Sequence, residues 1–174
     1  MNDNIAKIAE NNIGKNREQV GCKGSYAWCA HFVGNVLDAA GVKTIKGFET
    51  RNMYSCSEMW DLMKKDPLNW DEPDDYPERG DILFFDWDRV NEEKPLDHVA
   101  VIVDFDRLTG TIEYVNGNGS NADYVTKQTI HWRHDSIAYW MRYAGATSDR
   151  VQELERQLAE LKDKIGKIKN ILDI

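Results

Sequence analysis

The sequence predicts an α+β fold in which helices pack on an antiparallel sheet, followed by a separate C-terminal helix. Three observations predict it. Apolar residues recur at helical spacing in the first 65 positions. From residue 81 they fall instead in short runs bounded by Gly, Asn and Asp. From residue 148 they switch to an unbroken seven-residue repeat.

Taken in order, residues 5–20 read as a first helix. The next helix opens near Cys29: Trp28, Phe32, Val33, Val36, Leu37 and Ala40 have helical spacing. Gly24-Ser25 supplies a turn and cap before it, and Gly41 a stop after it. Residues 57–65 read as another helix, with Met59, Trp60 and Met63 as the buried face. Residues 65–78, with Pro67, Pro73 and Pro77, read as a long connection. Strands follow at about 81–87, 98–105, 111–116, 123–132 and 137–144, arranged as a meander. The second of these is nearly continuously apolar.

The last 27 residues have no aromatic and no Pro. Val151, Leu154, Leu158, Leu161, Ile165, Ile168 and Leu172 step by 3, 4, 3, 4, 3, 4, which is a heptad seam. The expected domains are therefore a globular unit, 1–147, and a coiled-coil oligomerisation helix, 148–174. A homo-oligomer formed through residues 151–172 is the expected partner arrangement. Strand number is left open, because Leu and Ile are mixed along the seam, and so is orientation, because Lys164 would face Lys169 in a parallel pairing.

The chain has 174 residues and a net charge of -8. Acids and bases balance at six each in the tail, so the whole excess lies in residues 1–147. A surplus of acid argues against nucleic acid, which needs clustered Lys and Arg. No apolar run reaches the roughly 20 residues that span a bilayer, so no stable membrane insertion is expected. The first ten residues lack the apolar core of a signal peptide. Synthesis in the cytoplasm without a signal peptide is the corresponding expectation.

Cys22, Cys29 and Cys56 are odd in number and fit no zinc spacing, so reduced thiols are expected. Cys22 and Cys56 read as small buried residues. Cys29 differs, because it lies in the first turn of a buried helix. There the unpaired amides and the dipole favour a thiolate. A nucleophilic thiol needs a base. His98, at the mouth of the apolar strand, is the best of four histidines. His31 is on another face of the Cys29 helix, and His131 and His134 lie in a polar stretch. Asn116 ends a strand just before a turn and is placed to accept from the imidazole. Glu113 and Asp97 are the fallback orienters, though alternation puts Glu113 on the opposite face from Asn116.

Trp28-Cys29-Ala30-x-Phe32-Val33, Arg79-Gly80-Asp81-Ile82-Leu83-Phe84-Phe85, Asp97-His98-Val99-Ala100-Val101-Ile102 and Glu113-Tyr114-Val115-Asn116-Gly117-Asn118 together resemble a CHAP domain over roughly residues 5–145. That family comprises cysteine, histidine-dependent amidohydrolases and peptidases. The resemblance implies a papain-like (NlpC/P60/CHAP) fold, a thiol mechanism and a peptidoglycan substrate, as in phage endolysins. It matches Cys29 to the nucleophile and His98 to the base. The family commonly ends the next strand with Glu-x-Asn. Here that stretch is Asn116-Gly117-Asn118, so Asn116 stands where the acid usually is. Trp28 and Asn118 are the expected substrate-binding residues. The expected reaction is cleavage of a wall amide, by an N-acetylmuramoyl-L-alanine amidase or a stem or cross-bridge endopeptidase. The expected place of action is the bacterial cell wall after release. One oxyanion donor is expected from the Cys29 amide and a second from residues 22–25. No metal or cofactor is required. Asp86-Trp87-Asp88 and residues 71–75 are acidic but lack the spacing of a calcium loop. The alternatives are a non-hydrolytic wall-binding or assembly module with a degenerate site, and a wall-degrading effector toxin.

Overall fold

The computed structural model describes residues 1–22, 27–87, 96–119, 123–145 and 148–171. Helix α1 (Asn2–Glu10) buries Ile5, Ala6 and Ala9. The expected helix over 5–20 thus begins earlier and stops halfway. Its end has a local cause. The Asn12 carboxamide donates to the Ile8 carbonyl at 2.8 Å, and Gly14 turns the chain with φ 80°. The strand-like exchange of Gly14 and Lys15 with Val125 then ties the following strap to the far side of the fold.

Helix α2 (Cys29–Ala40) is buried along almost its whole length. Gly41 ends it in the left-handed conformation. Its N-cap is Trp28, with no side-chain cap; the expected cap at Gly24-Ser25 lies outside the described residues. A two-residue hairpin of β1 (Thr44–Ile45) and β2 (Phe48–Glu49) and a 3₁₀ turn (Thr50–Asn52) lead into α3 (Cys56–Lys64). Ser55 caps α3 by accepting from the Glu58 amide at 3.2 Å. Met59 and Met63 are buried, as their spacing predicts, and Trp60 stacks half-buried on Tyr139 with ring centres 4.6 Å apart.

The connection expected over 65–78 contains a short strand, β3 (Trp70–Asp71). The five expected strands follow as β4 (Ile82–Phe85), β5 (His98–Asp106), β6 (Thr111–Asn116), β7 (Thr126–His131) and β8 (Ile137–Tyr143). The sheet order is β3-β8-β4-β5-β6-β7, antiparallel throughout. Only β4 to β7 form the expected meander; β8 crosses back to pair with β4. The buried Asp81 carboxylate helps fix that crossing, accepting from Arg142 Nε and Nη2 on β8, both at 3.0 Å. Burial pushes the Asp81 carboxyl upward, against the lowering effect of Arg142 and of the Glu78 amide.

Strand β5 reads as a continuous apolar run because both its faces are covered. Val99, Val101 and Val103 join Ile82, Phe84 and Val115 against the helices. Ala100 and Ile102 join Leu83, Phe85, Ile112 and Tyr114 on the other face. The Arg79-Gly80-Asp81 stretch clamps α1 to this sheet. Arg79 pairs with Glu10 at 2.6 Å and Asp3 at 3.0 Å, and donates to the Val103 carbonyl. Gly80 has φ 91°, and a Cβ there would fall 2.2 Å from the Asn2 carbonyl oxygen. No other residue type lets α1 approach so closely.

Helix α4 (Ser148–Ile171) is continuous over 24 residues. Along it Leu158, Leu161, Ile165 and Ile168 are each 51–56% exposed. Among the described residues, no helix is long and apolar enough to cross a membrane.

Candidate active site

Three elements meet at one end of the sheet, and each contributes a terminal residue. Cys29 opens α2, His98 opens β5 and Asn116 closes β6. Alternation along β5 and β6 puts His98 and Asn116 on the same face. The His98 Nε2 lies 3.1 Å from Asn116 Oδ1. The orientation of the carboxamide follows from β7. Asn116 Nδ2 is 3.3 Å from Gln128 Oε1 and 3.4 Å from the Thr126 carbonyl, both acceptors. Tyr114 Oη in turn donates to Gln128 Oε1 at 2.9 Å. Asn116 therefore presents oxygen to the imidazole, so Nε2 carries the hydrogen and donates. Nδ1 is the nitrogen left to face Cys29.

The Cys29 thiol is held well below the ordinary thiol range. The leading cause is a hydrogen bond with Cys56; the hydrogen bond and charge of His98 and the Val99 amide add to it, and burial opposes. The two sulfurs are 3.5 Å apart. Cys56 is pushed the other way, by the bond to Cys29, by burial, and by the charges of Cys29 and Asp97. Cys22 is pushed up to about 11 by burial, partly offset by the Asn35 carboxamide. Of the three buried free thiols, Cys29 is the one pulled below the ordinary range, and Cys22 and Cys56 are pushed above it.

Phe85 lies opposite His98 in the ladder, with ring centres 5.7 Å apart, and Trp87 stacks on Phe85 at 4.6 Å. Beside them opens a cleft of about 610 Å³, lined by Trp87, His98, Tyr114, Asn118, Gln128 and Thr129. Asn118 is at this cleft, with φ 60°. Trp28 is not. It is 1% exposed, and a Cβ on Gly117 would fall 2.2 Å from its ring. The indole fills the space beneath the Asn116-Gly117 turn, so the expectation that Trp28 lines a substrate groove is corrected: packing consumes it. Trp87, 51% exposed, is the tryptophan at the cleft.

The fallback orienters are occupied elsewhere. Glu113 pairs with Lys127 at 2.9 Å, and Asp97 accepts from the Trp87 amide at 2.8 Å. His31 packs against Tyr54 with ring centres 4.7 Å apart, and burial lowers its imidazole below the ordinary value. His131 is exposed, and His134 Nδ1 lies 2.8 Å from Ser136 Oγ. The second oxyanion donor was expected within residues 22–25, of which 23–25 lie outside the described residues. Among the described residues, no group of three or more His, Cys, Asp or Glu is gathered to hold a metal ion.

Sequence reasoning missed Cys56, Gln128 and Thr126. Gln128 carried a signal. It shares a strand face with Thr126 and Ile130, and the β6–β7 register sets Gln128 opposite Tyr114 and Thr126 opposite Asn116.

A family model described as "CHAP domain" matches residues 21–118, which include Cys29, His98 and Asn116. The chain belongs to the CHAP domain family. Among solved structures the fold is similar to "The crystal structure of Ly7917", at 12% identity and TM-score 0.52, covering 82% of this chain and 62% of that one. It is also similar to "The crystal structure of Ly7917 with the hydrolyzing product of MDP", at 12% identity and TM-score 0.53, covering 83% and 64%. The alignment thus spans less than two thirds of that protein's length. A search of curated proteins finds no match.

Proposed function

We propose that this CHAP domain is a thiol-dependent peptidoglycan hydrolase cleaving a wall amide, with Cys29 as nucleophile, His98 as acid–base and Asn116 as orienter. The observation that carries the reading is His98, held on one ring nitrogen by Asn116 and set against a depressed Cys29 thiol beside an open cleft. The ligand reported with Ly7917, a product of MDP hydrolysis, supports the substrate class.

The chemistry follows from the groups present. The Cys29 thiolate adds to an amide carbonyl, and the oxyanion forms at the start of α2, where the Cys29 amide is a donor. His98 protonates the departing amine, leaving a thioester on Cys29. His98 then takes a proton from water, which attacks the thioester and releases the acid and the thiolate. Asn116 holds the imidazole edge-on through both steps without adding a negative charge. Either an N-acetylmuramoyl-L-alanine amidase or a stem or cross-bridge endopeptidase uses this set.

The same reading covers the rest of the chain. Residues 1–147 form the catalytic domain, and 148–174 a coil that joins copies of the chain. A second copy is the occupant that suits the α4 seam: the repeat is self-complementary, the tail is charge-neutral, and Leu158, Leu161, Ile165 and Ile168 stand exposed. The protein is synthesised in the cytoplasm and acts on the wall after release. Oligomers would aid an acidic enzyme on an anionic wall by avidity.

Turbidity loss of purified cell walls, compared between wild type and Cys29→Ala, tests the reaction. Clearing by wild type alone is expected. Equal clearing, or none by either across several wall types, contradicts it. Light scattering of the full chain and of residues 1–147 tests the coil, with a multiple of the chain mass expected only for the full chain. A monomeric mass for both rules it out.

A further inference from the structure

The reaction above uses Cys29 but not the second thiol packed against it. Cys56 opens α3 as Cys29 opens α2, and both side chains are buried, at 7% and 3% exposure. Their sulfurs are 3.5 Å apart, and geometry allows either to be the donor. Two thiolates at that separation, shielded from water, do not coexist, so one proton stays between them.

The surrounding groups decide where that proton sits. Cys29 faces His98 and the Val99 amide, both from β5, and each favours a negative sulfur. Cys56 feels Asp97, just before β5, which disfavours one. Cys22 holds its proton to about 11 and adds no charge at neutral pH. His31, two residues along α2, packs on Tyr54, and burial lowers its imidazole below the ordinary value. The negative charge therefore belongs to Cys29 and the proton to Cys56.

We propose that Cys56 is a positioning residue whose S–H donates a hydrogen bond to the Cys29 thiolate and fixes that sulfur beside His98. The proposal rests on the reading of Cys29 as the nucleophile. A thiol is a weak donor to neutral groups, but donation to an anion away from water is stronger. The bond has two consequences. It fixes the position of the Cys29 sulfur, and it keeps that sulfur ionised at acid pH, where a solitary thiol is protonated.

The test is the pH dependence of iodoacetamide alkylation at Cys29, read by peptide mass in the full chain. Wild type, Cys56→Ala and Cys56→Ser are compared. Serine keeps an O–H donor; alanine has none. Cys56→Ala should move the midpoint of Cys29 alkylation upward by about one pH unit or more, so that the rate in the acid range drops about tenfold. Cys56→Ser should restore the wild-type midpoint. Cys56→Val, which keeps volume without a donor, should behave as Cys56→Ala and serves if the alanine variant does not fold.

An unchanged midpoint in Cys56→Ala or Cys56→Val overturns the proposal. So does an equal shift in Cys56→Ser, which would mean packing alone. Alkylation of Cys56 rather than Cys29 at acid pH would reverse the proton assignment and also overturn it. Wall clearing is measured in parallel. A midpoint shift without any wall clearing would refute the hydrolase reading and leave this inference standing.

Discussion

Helices α2 and α3 begin alike and behave differently. Each opens on a buried cysteine, and the two sulfurs touch at 3.5 Å. Yet one thiol is pulled below its ordinary range and the other pushed above it. The caps differ first. Ser55 satisfies an amide of α3, whereas the N-cap residue of α2, Trp28, makes no side-chain cap bond to its first-turn amides. The strand between them differs next. Asp97 and His98 are neighbours in sequence, but the acid raises Cys56 and the histidine lowers Cys29. A helix start prepares a place for negative charge; the hydrogen bond between the two thiols sets them apart, and the groups beside each sulfur add to the difference. Cys22 completes the lesson: burial outweighs the Asn35 carboxamide and the Arg17 charge, and it is pushed up to about 11.

The sharpest break of this contrast is removal of the ionised thiol. Cys29→Ala should reduce the rate of wall clearing by at least about 10³-fold, the scale seen when a nucleophile is deleted. Next in size is the orienter. Asn116→Ala should cost roughly 10- to 100-fold in turnover, within the range of acid–base contributions, with an unchanged circular dichroism spectrum. A loss no larger than that from a surface change such as Lys127→Ala would remove Asn116 from the account.

The smallest effect concerns protonation alone. A lowered thiol is ionised at any pH above its depressed value, so its reactivity disappears only as pH falls through that value. Cys29 should alkylate readily at pH 6, where an ordinary thiol, with a pKa of about 8.5, is mostly protonated. Cys22 and Cys56, both raised, should react only in the alkaline range. Parallel rates at all three, read by peptide mass, would erase the distinction between the two helix starts.

The sequence exposed Cys29, His98 and Asn116 because each sits where a local pattern changes. Cys29 is where helical spacing begins, His98 where an apolar run begins, and Asn116 where a strand meets an Asn-Gly turn. Such boundaries are visible in a one-dimensional pattern. Cys56 was not legible. Its partner is 27 residues away, and only the packing of α2 and α3 against β5 brings the sulfurs together. Trp28 misled for a related reason: adjacency to a nucleophile along the chain says nothing about which side of the helix start faces solvent. The overrun of α1 came from extending a pattern through Asn11, Asn12 and Gly14, a run of helix-ending residues. The return of β8 to β4 was likewise invisible, being held by Asp81 and Arg142 across 61 residues.

Hydrolysis of a wall amide by the Cys29–His98–Asn116 set would release a new amine. The most direct measurement is dinitrophenylation of the amines released from purified peptidoglycan by wild type and by Cys29→Ala. The account predicts new amino termini with wild type only, at L-alanine for an amidase or at another stem or bridge residue for an endopeptidase. Equal release by both proteins, or reducing sugar ends without new amines, would contradict it.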